Sequence, residues 1–232
     1  MELVWEGLKR AIEMLISGDP EVFRITWLTL RVSLTATLIS VMLGLPLGVI
    51  LGLVTFPGRK LVVTLINLGM GLPPVVAGLW ITLLLWRSGP LGHYALLYTP
   101  TAIIMAQVLV SLPIIIGLTT AAFQQIDPRL RLQIKALGAS KWQSFLVLLR
   151  ETRLAIMAAV MAGLGRVLAE VGASMMVGGN IKGETRILTT AMVMEVSKGN
   201  FDIAIALSFI LMTLAFLITL ALTLMQQRKR SA

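Results

Sequence analysis

The chain has no cysteine, one histidine and little charge; Asp, Glu, Lys and Arg together make up 13% of its 232 residues. Without cysteine there are no disulfides, thiolate nucleophiles, zinc fingers or iron–sulfur ligands. A single imidazole, His93, excludes a metal site built on several histidines within one subunit. No glycine-rich run ends in Gly-Lys-Ser/Thr, so the chain carries no nucleotide-binding P-loop. The nearest run, Gly58-Arg59-Lys60, lacks the hydroxyl. The shortage of charge also excludes a water-soluble surface of ordinary composition, in which about 25% of residues are charged. A soluble enzyme, a nucleic-acid binder and a disordered protein are excluded with it.

Apolar sequence is abundant: 57% of residues are hydrophobic and the mean hydropathy is +0.90. A hydrocarbon layer about 30 Å thick is crossed by about 20 helical residues. Five segments meet that length, at about 25–55, 61–86, 100–123, 154–177 and 203–225. The expected fold is therefore an all-α membrane protein with five transmembrane helices. The polar stretch 124–153, the first short loop (Arg59, Lys60) and the C-terminus (Arg228, Lys229, Arg230) hold eleven basic residues against two acids. The opposite side holds seven against eight. Basic loops stay in the cytoplasm, so the C-terminus is expected inside and the N-terminus outside. The net charge of +9 is that loop asymmetry.

Residues 1–20 form a segment distinct from the single transmembrane domain at 21–232. Within it, Val4, Leu8, Ala11, Ile12 and Leu15 recur at helical spacing, with Glu6, Lys9, Arg10 and Glu13 on the other face. That pattern predicts a helix lying in the outer interface. Glu2 and Glu6 interrupt the basic-then-apolar order of a cleaved signal peptide. In the first span Gly44, Gly48 and Gly52 make one bare ridge, which reads as a helix-packing surface. The second holds Gly69, Gly71, Pro73 and Pro74 within six residues. Two prolines remove two backbone donors, and broken backbone at membrane depth needs protein or a water-filled cavity beside it. A plain kink and a segment lining a pathway both fit. Pro100 and Pro113 in the third span carry the same signal more weakly.

In the fourth span Ala158, Ala162, Gly165, Ala169 and Gly172 form a small-residue stripe, next to Arg166 and Glu170 four residues apart. Each charge at the bilayer centre costs about 2.5–3.5 kcal/mol on the insertion scale. The two must pair, face a polar cavity, or both. Arg166 is a possible anion contact, and Glu170 beside it argues for passage rather than tight binding. Pro73, Pro74, Arg166, Glu170, Gly172 and Ser174 are the candidate pathway and gate residues. Gly178-Gly179-Asn180 then signals a turn, and a short external helix is expected over 185–198, ended by Gly199-Asn200. Gly178, Gly179, Asn180 and Arg186 are candidate contacts for an external partner.

The stretch 124–153 predicts two short helices. Asp127-Pro128 is a cap and first-position pair, Leu132-Gln133-Ile134-Lys135-Ala136-Leu137 follows, Gly138-Ala139-Ser140 is a break, and a second amphipathic run begins at Lys141. Together they make a basic cytoplasmic knob suited to a soluble partner's groove. Ala136-Leu137-Gly138-Ala139-Ser140, placed between two spans, resembles the EAA loop of ATP-binding-cassette importer permeases, which carries the coupling helix. Phe56-Pro57-Gly58-Arg59-Lys60, Leu72-Pro73-Pro74-Val75-Val76-Ala77-Gly78 and Glu170-Val171-Gly172-Ala173 fit the oxyanion branch. Val177-Gly178-Gly179-Asn180-Ile181 with Thr185-Arg186-Ile187-Leu188-Thr189-Thr190 is most similar to tungstate permeases. The resemblance covers residues 20–225. The loop departs from the family pattern where its naming glutamate and two alanines align with Leu132, Gln133 and Ile134, and its later proline with Glu151.

The resemblance implies a type I importer fold and a homodimeric pore. It also implies a dimeric cytoplasmic ATPase that holds the ATP and magnesium, and an external oxyanion-binding protein. This chain itself would bind no cofactor and no metal, catalyse no reaction, and contact lipid but no nucleic acid. Molybdate, sulfate or another solute are alternative cargoes. A stand-alone channel has no use for the 30-residue knob, and a membrane enzyme would need Glu170, Glu184, Glu195, Asp202 and His93 gathered, yet they are scattered.

Overall fold

The computed structural model describes residues 2–228. Lys229 and Arg230 of the expected cytoplasmic cluster lie outside them. The described chain folds into α1 (Glu2–Ile16), α2 (Pro20–Leu53), α3 (Arg59–Met70), α4 (Pro74–Leu85), α5 (Pro100–Gln124), α6 (Pro128–Ala136), α7 (Lys141–Glu151), α8 (Arg153–Leu168), α9 (Gly172–Gly178), α10 (Leu188–Ser197) and α11 (Phe201–Arg228). Three of these, α2, α5 and α11, are long and apolar enough to cross a membrane unaided. The pairs α3–α4 and α8–α9 are bent by 104° and 56°, and bring the number to five if each is one span.

The longest interface runs between α2 and α5. Ser40 and Ser111 share a 2.7 Å hydroxyl hydrogen bond across it, 71 residues apart in sequence. The same offset recurs at each following turn. A Cβ on Gly44 would lie 2.9 Å from Ile115 Cγ2, one on Gly48 2.6 Å from Thr119 Cβ, and one on Gly52 2.5 Å from Phe123 Cβ. A constant offset means that the two helices run parallel, with their i, i+4 ridges in register. The glycine ridge is thus a close-approach surface, and bulky partners on α5 fill it. Asp19 caps α2 by accepting from Glu21 N (2.8 Å) and Val22 N (3.2 Å), and Thr99 does the same for α5. Both helices have proline at their start.

The expected single span over 61–86 is two helices. Leu72 and Pro73 each precede a proline, which pushes both out of the α region; Pro73 sits at φ −60°, ψ 129°. The chain therefore turns sharply before Pro74 restarts a helix. It still traverses. The end of α3 lies against the middle of α5, with Met70 over Gly117 and Gly69 over Pro113. The end of α4 places Leu85 with Ala102 and Ile103, near the start of α5. Residues 102 and 117 of α5 are about 20 Å apart along the axis.

The fourth span, expected as one helix over 154–177, also breaks. The Glu170 carboxylate is buried and accepts from Ala173 N (2.6 Å), Ser174 N (3.0 Å) and the Ser174 hydroxyl. It takes the free donors of the next helix, so α9 starts afresh instead of continuing α8. Thr189 Oγ1 donates to the Glu170 carbonyl at 2.9 Å and ties the joint to α10. The second halves of the two broken spans, α4 and α9, pack on each other. A Cβ on Gly78 would meet Ala173 Cα at 2.7 Å, and one on Gly172 would meet Val75 Cγ2 at 2.8 Å.

In α1 the expected apolar face is split. Ala11 is buried, Gly7 lies against Ile205 of α11, and Arg10 reaches Asp202 at 3.8 Å. Val4, Ile12 and Leu15 remain exposed. Gly7 and Ala11 thus form the face that meets α11, beside the exposed residues of the stripe.

Two outcomes follow from the packing. Gly48→Ala gains about 1 kcal/mol of helix propensity but forces a methyl into Thr119 and the Ile116 carbonyl, where overpacking costs about 1–3 kcal/mol. The detergent-solubilised protein should therefore unfold at lower temperature, and a raised midpoint would contradict the seam. Glu170→Ala leaves buried amides without an acceptor, at a cost of about 3 kcal/mol. Glu170→Gln keeps one acceptor and should lose less in the same thermal assay; equal stability of all three proteins would contradict the cap.

Candidate functional site

The knob expected over 124–153 is α6 and α7. Asp127 caps α6 by accepting from Arg129 N at 2.8 Å. Gly138, at φ +73°, ends it: Gly138 N donates to Lys135 O (3.0 Å) and Ala139 N to Ile134 O (3.3 Å). This left-handed turn satisfies the last carbonyls and strongly favours glycine. Ser140 and Gln143 then form a reciprocal capping box at 3.2 and 2.8 Å. The knob is pinned from inside. Ile134 and Leu148 are buried with Phe123 and Ile126, and Arg131 Nη2 donates to Phe123 O at 2.7 Å.

Among the candidate coupling residues, Ile134 is therefore an anchor, and Ala139 packs beside it. Leu132, Gln133, Lys135, Ala136, Leu137, Gly138 and Ser140 are exposed, Leu137 to 86%. Exposed leucines flanked by Arg129, Lys135 and Lys141 form a contiguous apolar and basic surface.

At membrane depth Arg166 and Glu170 do not pair among the described residues, which closes one of the alternatives their spacing left open. The i, i+4 spacing brings side chains together only in an unbroken helix, and α8 ends at Leu168. Glu170 turns to α9, while Arg166 is half-buried, with its buried Nε lacking a hydrogen-bond partner. Ser174 is buried in the Glu170 cap, Gly172 is half-buried against Val75, and Pro73 is exposed beside half-buried Pro74. The stripe positions Ala158, Ala162, Gly165 and Ala169 are all exposed.

On the opposite side from the knob, Gly178 is buried and accepts from the Thr185 hydroxyl, and Gly179 is exposed beside Tyr98. Asn180 has a left-handed backbone and a buried Oδ1 without a partner. Arg186 ties this turn to the start of α2 by donating to Glu21 Oε1 at 3.1 Å; Lys182 reaches the other oxygen at 2.6 Å. The helix expected over 185–198 starts at Leu188, three residues later than expected. At its end Asn200 donates to Glu195 at 2.7 Å, and with Lys198 it holds that carboxyl below its ordinary range against the effect of burial. A cleft of about 310 Å³ lies here, lined by Met14, Glu21, Arg186, Glu195 and Lys198 among others.

Sequence reading missed two residues. Thr189 joins Glu170 to α10, and an acid placed just before Gly172-Ala173-Ser174 was the available signal for a helix restart. Gln107, fully buried on α5, has both amide atoms unpartnered among the described residues; its place in an apolar run carried no signal.

The chain is 39% identical to the tungstate uptake system permease protein of Peptoclostridium acidaminophilum, over 98% of this chain and 100% of that one. It is 41% identical to a probable anion ABC transporter permease protein of Haloferax volcanii, over 82% and 84% respectively. In fold it resembles a chain of a bacterial alginate ABC transporter solved in complex with a pentasaccharide-bound periplasmic protein. That match has a TM-score of 0.77 and 20% identity, and covers 96% of this chain and 86% of that one. A family model matches residues 44–231. This chain therefore belongs to the binding-protein-dependent transport system inner membrane components.

Proposed function

We propose that the chain is the permease subunit of an ATP-driven importer that carries an oxyanion, tungstate first, across the cytoplasmic membrane. The observation that carries the reading is the knob: a rigidly capped, internally anchored pair of helices whose apolar and basic outer face is left uncovered. Such a face is built for a soluble partner. The sequence carries no P-loop pattern, so in this reading the partner is the ATPase dimer that binds ATP and magnesium. The relatives' names support tungstate, and molybdate and sulfate are the alternative cargoes. The knob and the C-terminus face the cytoplasm. The N-terminus, with α1 in the outer interface, and the 178–186 turn face outward, where Gly179 and Asn180 can meet an oxyanion-binding protein.

A second copy of the chain completes the pathway. Within each copy the α2–α5 seam is the fixed frame. The α4–α9 pair, joined to the inner halves at Gly71–Pro73 and Ala169–Val171, is the moving wall. Closure of the ATPase subunits on nucleotide draws the two knobs together and swings these walls. Pro73, Pro74, Arg166 and Gly172 lie at or beside the joints and line the pathway. Glu170 and Ser174 hold the joint in shape.

Two measurements test this. Gly138→Val places a β-branched residue at φ +73°, strained by about 1–2 kcal/mol, and should abolish co-purification of the ATPase and uptake while the chain still inserts. Gly138→Asn, which tolerates the left-handed region, should retain both. Normal ATPase binding by the valine variant would contradict the coupling role. Among tungstate, molybdate and sulfate at nanomolar concentration, tungstate should stimulate ATP turnover of the assembled complex most; an indifferent response would contradict the cargo.

A further inference from the structure

We infer that Arg166 is a direct contact for the transported oxyanion, a transient counter-ion site inside the pathway. This rests on the permease reading and goes further, because it names the group that meets the cargo. The site stands about 20 Å along α8 from Arg153, well inside the span. A charge held at that depth calls for a counter-charge or a polar cavity.

The chain cannot supply the counter-charge. Of its eleven acidic residues, ten lie on α1, on α10, in loops or at helix ends. Only Glu170 is deep within a span, and its two oxygens are occupied by Ala173 N, Ser174 N and the Ser174 hydroxyl. No ion pair joins it to Arg166 among the described residues. A second copy has the same sequence, so its only carboxylate at this depth is equally committed. The guanidinium is therefore left positive and uncompensated, with Nε buried and unpartnered.

The surroundings leave room. Ala162, Gly165 and Ala169 beside Arg166 are exposed, and a Cβ added at Gly165 would meet nothing within 4 Å. A small-residue face alone says nothing about a ligand; the unneutralised fork beside it does. Guanidinium presents paired N–H groups in a plane and engages two oxygens of a tetrahedral oxyanion at once. A single fixed charge per copy, without a cage of further donors, suits brief contact during passage rather than retention. That agrees with the passage expected from the sequence, although Glu170 does not neutralise the guanidinium, since it is spent on a helix start.

The test uses the complete transporter, this chain with its ATPase and external binding protein, in proteoliposomes supplied with labelled tungstate. Arg166→Gln should slow ATP-driven uptake about tenfold or more, the scale of a lost charge-assisted hydrogen-bond pair, with assembly and ATPase association unchanged. Arg166→Lys keeps the charge but loses the fork, and should recover part of the rate. Wild-type uptake by Arg166→Gln overturns the inference. So does misassembly of Arg166→Gln alongside full uptake by Arg166→Lys, which marks a role in the fold. A measurement on the unaltered protein does not depend on any variant folding. Phenylglyoxal modification of Arg166, read by peptide mass spectrometry, should be slowed by millimolar tungstate while Arg150 on the knob is unaffected; equal rates with and without tungstate overturn it.

Lipid phosphate is another source of tetrahedral oxyanion chemistry. Repeating the uptake assay in phosphatidylcholine bilayers with and without phosphatidylglycerol separates the two. A deficit in Arg166→Gln that appears only with the anionic lipid assigns Arg166 to lipid and overturns the inference. Failure of the wild-type complex to take up any oxyanion contradicts the permease reading itself. Uptake by the wild type with an indifferent Arg166 contradicts only the contact.

Discussion

The close contact between α2 and α5 is the constraint on which the rest of the fold depends. Three glycines in a helix sacrifice about 3 kcal/mol of helix propensity. In return the backbone of α2 descends onto Ile115, Thr119 and Phe123 with no intervening side chain. Without a hydrophobic force between helices in lipid, such packing and the Ser40–Ser111 hydrogen bond hold the pair together. Every other element is referred to this frame. Met70 and Gly69 place α3 against the middle of α5, and the start of α5 carries α4 and α9. Phe123 at the other end of α5 anchors the knob through Ile134, Leu148 and Arg131.

Against the continuous α2 and α5 stand two broken spans. Each break has its own chemical cause, consecutive prolines in one and a carboxylate-capped restart in the other. Their second halves, α4 and α9, meet through Gly78, Ala173, Gly172 and Val75, so they form a pair separated from α3 and α8 by non-helical backbone. This gives a physical basis for a moving wall: packed bodies on either side of joints where helical hydrogen bonds are already absent. The Thr189–Glu170 bond links one joint to α10, and Arg166 lies one turn before it.

Much of this was legible in sequence. Glycines at 44, 48 and 52 announced a close helix contact. Asp127-Pro128, Gly138 and Ser140 announced the ends of two short helices, because caps and left-handed turns are local chemistry. The oxyanion-permease resemblance was legible in the loop and in the 177–190 segment. Several features were not. The choice between a paired and an unpaired Arg166 stayed open because the i, i+4 spacing rule presumes an unbroken helix, and the break at 169–171 is itself caused by Glu170. The burial of Ile134 and the tie from Arg186 to Glu21 join distant parts of the chain, which no local pattern encodes. In α1 the stripe of Val4, Ile12 and Leu15 was correctly read as apolar, but the small residues Gly7 and Ala11 set which face touches α11.

The absence of cysteine allows the frame and the joints to be compared directly, since introduced cysteines are the only labelling sites. Spin labels at Leu34 and Gln124 report on the seam from opposite ends, and labels at Leu61 and Leu83 span the broken α3–α4 segment; all four positions are exposed. Distances measured in the assembled transporter, without nucleotide and with ATP trapped, should leave the Leu34–Gln124 separation unchanged and shift that between Leu61 and Leu83. A seam distance that changes with nucleotide, or an α3–α4 distance that does not, would contradict a fixed frame with a moving wall.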